Sequence, residues 1–189
     1  MMRLFIAVNL DPRVRELISS AIDTFPVGRV PWRWTRPDTW HVTLKFLGET
    51  PEGDVAPISR CLERVAAGHA AFPMRLRDFG GFPNLRRPRV LFYGVDEGAD
   101  ALKRLAGDVE RSLLDEMGIP MEEKRFHAHV TLARVKSRLP DAVIGVLPSI
   151  PPLAGASQTA GSIDLMKSEL RRDGARYEPL KAFALPRAS

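Results

Sequence analysis

Apolar residues recur along this chain with two periods, and the changes of period mark its elements. A run from Leu4 to Leu10, closed by Asn9 and Asp11-Pro12, predicts a central strand. Val14, Leu17, Ile18, Ala21, Ile22 and Phe25 then recur at helical spacing, predicting a helix over about 12–25. Asp11 is placed to cap that helix, with Pro12 at its first position and Pro26 and Gly28 as stops. Trp32 and Trp34 are two apart, as on one face of a strand, and Pro37-Asp38 turns the chain into a strand from Trp40 to Leu47 that Gly48 terminates. Val55, Ile58, Leu62 and Val65 predict a helix over 52–67. Phe72 to Phe79 alternates as a strand, with Phe72, Met74 and Leu76 on one side and Arg75 and Arg77 on the other. A turn over 80–84 and a basic loop, Arg86-Arg87-Pro88-Arg89, lead to a strand over Val90–Val95. A helix follows from Ala99 to Met117, ended by Gly118, then a strand over 126–135. Residues 139–160, rich in Pro, Gly, Ala and Ser, resist assignment; strands over 161–170 and 176–185, turned at Gly174, finish the chain.

One pattern in this series occurs twice. His-Val-Thr-Leu stands at 41–44 and again at 129–132, 88 residues apart, each copy inside a predicted strand. Alternation puts His and Thr on one face, and Val and Leu on the other. The apolar pair anchors the strand in a core, and the polar pair faces a space the fold keeps open. The context repeats too: strand, helix and histidine strand follow in the same order, with Phe5 36 residues before His41 and Phe92 37 before His129. Repeated units of this kind pack about a shared axis. Two lobes with like faces opposed would line one cleft with both His-Thr pairs. One imidazole on each side suits an in-line reaction at phosphorus, one serving the attacking water and the other the departing oxygen.

Composition narrows the setting. The chain has 189 residues, 44% of them hydrophobic, enough for a real core in one compact unit. Its net charge of +5 suits a polyanionic ligand without requiring one. A single cysteine, Cys61, excludes an intrachain disulfide and reads as a small buried hydrophobe. The opening apolar run is too short for a signal peptide or membrane span, so cytoplasmic residence is the expectation. No dinucleotide fingerprint or phosphate loop is present. His127 and His129, two apart on a strand, and His41 form a rival metal set, but no carboxylate or cysteine stands at ligand spacing and the duplicated threonines go unexplained. Tryptophans near basic residues fit a base-stacking platform as well as a core, with Trp32 the best placed to be exposed. Arg86, Arg87 and Arg89, together with Arg77, are candidates for steering an anionic ligand.

The paired motifs resemble those of the 2H phosphoesterase superfamily, and within it the RNA 2′,3′-cyclic phosphodiesterases, long labelled 2′-5′ RNA ligases. Met2 to Val8, His41 to Glu49, Gly81-Phe82-Pro83, Phe126 to Arg134 and Ser168-Glu169-Leu170 leading to Tyr177 carry the resemblance over nearly the whole chain. It implies an α+β fold, a single bilobal and pseudo-symmetric domain over 1–189 with two facing antiparallel sheets and helices outside. It implies hydrolysis of an RNA terminal 2′,3′-cyclic phosphate to a 2′-phosphomonoester, without metal or cofactor. His41 would be the proton donor and His129 the base, with Thr43, Thr131 and Arg134 on the phosphate. Phe46, standing where the first motif has no basic residue, would meet sugar or base. His127, Trp32, Arg86, Arg87 and Arg89 are further candidate substrate contacts. The expected partner is RNA or an oligonucleotide with a cyclic phosphate end, with no membrane and no obligate protein partner. Ligation of 2′-5′ ends and a non-catalytic RNA-end binding module remain the alternatives.

Overall fold

The computed structural model describes residues 1–25, 32–171 and 174–187. In order these residues form β1 (Met2–Asn9), α1 (Pro12–Asp23), β2 (Trp32–Trp34), β3 (His41–Thr50), α2 (Val55–Ala67), β4 (Phe72–Phe82) and β5 (Val90–Val95). Next come α3 (Ala99–Met117), β6 (His129–Val135), α4 (Asp141–Val146), β7 (Ser157–Ala160), β8 (Ser162–Arg171) and β9 (Gly174–Ala184). The expected helix stop at Pro26 and Gly28 lies outside the described residues. Asp11 occupies the N-cap of α1 but makes no side-chain cap hydrogen bond, so Pro12 at the first turn is the working start signal. Gly48 does not end its strand. With φ of +71° it takes a left-handed conformation inside β3, which runs on to Thr50. Gly80 to Phe82, expected in a turn, extend β4 instead, and the unassigned 139–160 stretch supplies α4 and β7.

The two expected antiparallel sheets are the halves of one continuous sheet. Among the described residues its order is β7-β4-β5-β6-β3-β1-β8-β9, with β2 paired to the far end of β6 and every pair antiparallel. The halves join where β3 meets β6 through one residue pair, Val42 with Val130. Outward from that seam the order is mirrored: β3 matches β6, β1 matches β5, β8 matches β4, and β9 matches β7. The third strand of each repeat is exchanged. β4 follows the first histidine strand in the chain but pairs with β5, and β8 follows the second histidine strand but pairs with β1.

Alternation then sorts the faces. Leu4, Ile6 and Val8 of β1, Val42 and Leu44 of β3, and Val130 and Leu132 of β6 join Val14, Ile18, Ile58, Leu62, Leu102 and Leu105 of the helices in one core. The histidines stand on the opposite face. There the first lobe carries a smaller cluster of Phe5, Ala7 and Met166 with Tyr177 against it, and the second packs Trp32, Leu91, Ala133, Leu139, Leu147 and Ile150. Trp32 is therefore buried, not the exposed platform expected of it; Trp34, half-buried, is the tryptophan that reaches a groove. Lys45 is buried toward the helices, where its ammonium donates to Glu110 (3.1 Å) and to the Pro120 carbonyl (2.7 Å).

Candidate active site

The seam between the halves builds the site. With Val42 opposite Val130, the antiparallel register sets His41 level with Thr131 and Thr43 level with His129. The two His-Thr pairs thus cross, and the histidines are diagonal neighbours, a relation that spans about 7–8 Å in a regular ladder. Both strands then carry an irregularity at the same motif position. β1 pairs Ala7 with Thr43 and Ile6 with Lys45, so Leu44 is an extra residue in β3. β5 pairs Phe92 with Thr131 and Leu91 with Ala133, so Leu132 is extra in β6. A bulge shifts the parity of everything after it. Strict alternation would aim Lys45 and Ala133 at the site; both are buried elsewhere, and the next residues, Phe46 and Arg134, emerge there instead. Thr35 holds the second bulge: its hydroxyl lies 2.9 and 2.8 Å from the Thr131 and Leu132 carbonyls and accepts from the Trp40 indole N–H at 2.8 Å.

Each imidazole is fixed in the same manner. His41 Nδ1–H donates to the Thr39 carbonyl, and His129 Nδ1–H to the His127 carbonyl, both at 2.7 Å. A carbonyl only accepts, so in the neutral ring the proton sits on Nδ1 and Nε2 is the free base. Thr43 Oγ1 is 3.0 Å from His41 Nε2 and donates to it in that state. Aromatic rings back both histidines: Phe5 and Tyr177 lie 4.8 and 5.3 Å from His41, and Phe82 and Phe92 lie 5.0 and 5.2 Å from His129. This packing strips water from the rings and disfavours imidazolium. Desolvation is the main cause that brings His41 from 6.5 down to about 4, against the Thr39 carbonyl; the charges of His129 and Arg15 push the same way. His129 is lowered too, again chiefly by desolvation, with the His127 carbonyl opposing. Both are neutral at pH 7 in the free protein.

A cavity of about 50 Å³ at this point is lined by Thr35, Thr39, His41, Thr43, Phe46, Thr131, Arg134 and Tyr177. It has the size of a small anion's seat, with hydroxyls, an imidazole and a guanidinium around it. Two wider grooves, of about 310 and 260 Å³, share Arg134 and Tyr177 and add Arg33 and Trp34 on one side, and Arg3 and Phe5 on the other.

Comparison with known proteins identifies this arrangement. The LigT-like phosphoesterase family model matches residues 8–92 and 94–177. The chain belongs to the LigT-like phosphoesterase family. It is 38% identical over 152 residues to the RNA 2′,3′-cyclic phosphodiesterase of Aeropyrum pernix, covering 80% of this chain and 85% of the relative. To the protein of the same name from Thermus thermophilus it is 35% identical over 190 residues, 97% and 90% of the two chains. The crystal structure of TT0787 of Thermus thermophilus superposes over 100% of both chains with a TM-score of 0.82 at 34% identity. That of E. coli LigT complexed with 3′-AMP superposes over 97% of this chain and 98% of that one, with a TM-score of 0.79 at 30% identity.

Within this LigT-like phosphoesterase fold, the residues singled out from sequence divide. His41, Thr43, Phe46, Thr131 and Arg134 line the small cavity, and His129 stands across the seam from Thr43. His127 is exposed beside His129, with ring centroids 5.9 Å apart. Arg86, Arg87 and Arg89 line a different groove altogether. Arg77 faces neither, lying in ion pairs with Asp96 (3.6 Å) and Asp78 (3.9 Å). Arg134 is exposed at the groove edge. Phe5, Thr35, Thr39 and Tyr177 were not legible as site residues. Phe5 carried a signal in its repeat-matched partner Phe92, which backs the other histidine, and Tyr177 in the stretch that bears the family resemblance. Among the described residues, no group of three or more His, Cys, Asp or Glu is arranged to hold a metal, and no helix is long and apolar enough to cross a membrane.

Proposed function

We propose that this chain hydrolyses the 2′,3′-cyclic phosphate at the 3′ end of RNA to a 2′-phosphomonoester and a free 3′-hydroxyl. The observation that carries the reading is the crossed register of the two His-Thr pairs, which sets His129 level with Thr43 beside an anion-sized cavity lined by His41, Thr43, Thr131 and Arg134. The names of the relatives supply the substrate class. The phosphate oxygens sit among the Thr43 and Thr131 hydroxyls and the Arg134 guanidinium, which donate as charge spreads over them. His129 Nε2 takes a proton from water, whose oxygen bonds to phosphorus while the bond to the 3′ oxygen breaks opposite. His41 protonates that departing oxygen.

For that role His41 must arrive as imidazolium, because its Nδ1 proton stays committed to Thr39. The phosphate anion provides the stabilisation that the aromatic packing around the ring withholds. Protonation also reverses the bond to Thr43. Nε2 no longer accepts, and the Thr43 hydroxyl hydrogen becomes free to turn to a phosphate oxygen. At the end of the step His41 is neutral and His129 charged, and proton exchange with solvent restores both. The same reading takes residues 1–189 as one bilobal domain, supported by the exchanged strands β4 and β8, and places it in the cytoplasm.

The test is product identity: an RNA with a 2′,3′-cyclic phosphate end should yield a 2′-phosphate. His41→Ala and His129→Ala should each lose about 10²–10⁴-fold in rate, with the double variant less than multiplicative. A 3′-phosphate product would reverse the assignment of donor and base. Undiminished turnover in both variants would leave only RNA-end binding.

A further inference from the structure

A groove wider than those around the site lies outside it. It encloses about 670 Å³ and is lined by Arg86, Arg87, Arg89, Lys136 and Arg138, together with Pro88, Val135, Ser137 and Leu139. Five of its lining residues are cationic and none is acidic. Arg138 pairs with Asp141 at 3.3 Å; Arg86, Arg87, Arg89 and Lys136 have no ionic partner among the described residues. Like charges left unpaired along a concave wall focus a field that draws an anion to it.

The groove is also held in place. The Asn84 side-chain oxygen accepts from the Arg86 and Arg87 amides at 3.0 and 3.1 Å. Arg89 ties the loop to both neighbours, its amide donating to the Phe82 carbonyl (2.7 Å) and its carbonyl accepting from Val135 (3.0 Å). Cations on an anchored loop pay less entropy on binding than cations on a free one.

Its position gives it direction. The histidine strand β6 runs from Thr131 past Arg134 to Val135, and Lys136 follows. Thr131 to Val135 spans about 13 Å of strand, too far for the phosphate of a mononucleotide to touch both ends and within reach of a short strand. A cyclic phosphate terminates the 3′ end, so the rest of an RNA leaves the site in one direction, toward its 5′ end. On the opposite flank, the groove beyond His127 has only Lys103 and Arg125, with Asp100 among them.

We infer that the groove of Arg86, Arg87, Arg89, Lys136 and Arg138 is a second binding site, for the phosphodiester backbone of the RNA strand 5′ to the reacting end. The inference rests on the proposed reaction and specifies its substrate as an oligonucleotide instead of a free cyclic mononucleotide. Backbone contacts of this kind are blind to base sequence and sensitive to salt.

The test compares wild type with the triple variant Arg86→Ala, Arg87→Ala, Arg89→Ala on a 2′,3′-cyclic mononucleotide and on a single-stranded oligoribonucleotide carrying the same end. The triple variant should lose about tenfold or more in kcat/KM on the oligonucleotide and keep wild-type turnover of the mononucleotide. Its dependence of log(kcat/KM) on log salt should be shallower by about 2, from three lost contacts on a single strand. Direct binding of a 3′-hydroxyl oligoribonucleotide, followed by fluorescence anisotropy, should weaken likewise and does not depend on turnover. Absence of hydrolysis with both substrates would sink the proposed reaction and leave the groove to be judged by that binding. Equal RNA binding by both proteins, or equal losses on both substrates, would overturn the inference and assign the groove to an acidic protein surface or to none.

Discussion

The two histidines have the same local geometry and unequal surroundings. Both give Nδ1–H to the carbonyl two residues back, yet only His41 has its Nε2 engaged by the threonine of its own motif. His41 is also lowered to about 4, and His129 lies below 6.5 as well. The proposed reaction needs one imidazolium and one neutral imidazole. kcat/KM reports the free enzyme, where both are neutral at pH 7, so its alkaline limb should fall below pH 6.5. The bound phosphate favours the charged ring, so the alkaline limb of kcat should lie at higher pH than that of kcat/KM. Full profiles of both constants check this; coincident limbs would mean that phosphate binding does not recharge the pair. The apparent values belong to the pair, since the charge of His129 acts on His41. Stability follows the same sign. The unfolded His41 takes up a proton near 6.5 and the folded one only near 4, so the folded state loses stability as pH falls through that window.

At the scale of elements, the bulges decide which residues work. Leu44 and Leu132 each add one residue to a histidine strand, and each turns the third residue after its threonine onto the site face. Phe46 and Arg134 are therefore matched positions with opposite chemistry. Their difference gives a nearly symmetric cleft a polarity: an apolar ring on one side and a cation on the other. Thr35 secures this arrangement by bridging the start of β3, through Trp40, to the bulge of β6. Thr35→Val keeps the volume and removes the hydroxyl. It leaves the buried Trp40 indole N–H without an acceptor, and should cost about 1–3 kcal/mol. kcat should fall more than the stability loss explains, because Thr131 and Arg134 are presented by the bulge that Thr35 holds. Thermal denaturation beside steady-state kinetics measures both; unchanged kcat would mean the bulge is self-supporting.

For the whole molecule, the exchange of β4 and β8 ties each lobe to the chain of the other, and the helices on the outer face share one core. One charged tie runs through that core. Lys45, 4% exposed on its side chain, meets Glu110, 14% exposed, at 3.1 Å, and Glu122 at 3.7 Å. It joins β3 to α3 directly behind the site, at the position that the bulge turned inward. Lys45→Ala strands the Glu110 carboxylate and should cost about 3–5 kcal/mol. At about 2–4 °C per kcal/mol for a chain of this size, calorimetry should register a clear drop in Tm. The pair Lys45→Met with Glu110→Gln should recover most of it. If Lys45→Ala alone proves mild, the tie is not what holds α3 to the strand.

The duplicated His-Val-Thr-Leu and the strand–helix–strand order were legible along the chain, because period and composition are local properties of consecutive residues; the α+β class came with the family resemblance. So was the offset that pairs Phe46 with Arg134, though not the reason for it. The hydrophobic pattern was enough to place both His-Thr pairs on one face of their strands, and to assign the opposite face to the core. It could not tell that Trp32 is buried while Trp34 meets a groove, since two residues of one spacing differ only in what packs over them. Nor could it locate the two extra residues, for a bulge exists only relative to a partner strand. The same holds for Thr35, which acts on a carbonyl 96 residues away, and for Tyr177, which packs on His41 from the last strand. Register across the seam was decided by tertiary structure alone: the single contact of Val42 with Val130 sets each histidine level with the other's threonine. Chain order carries no information about that alignment, because it is selected by the burial of Val42 and Val130 in a core shared by strands remote in sequence.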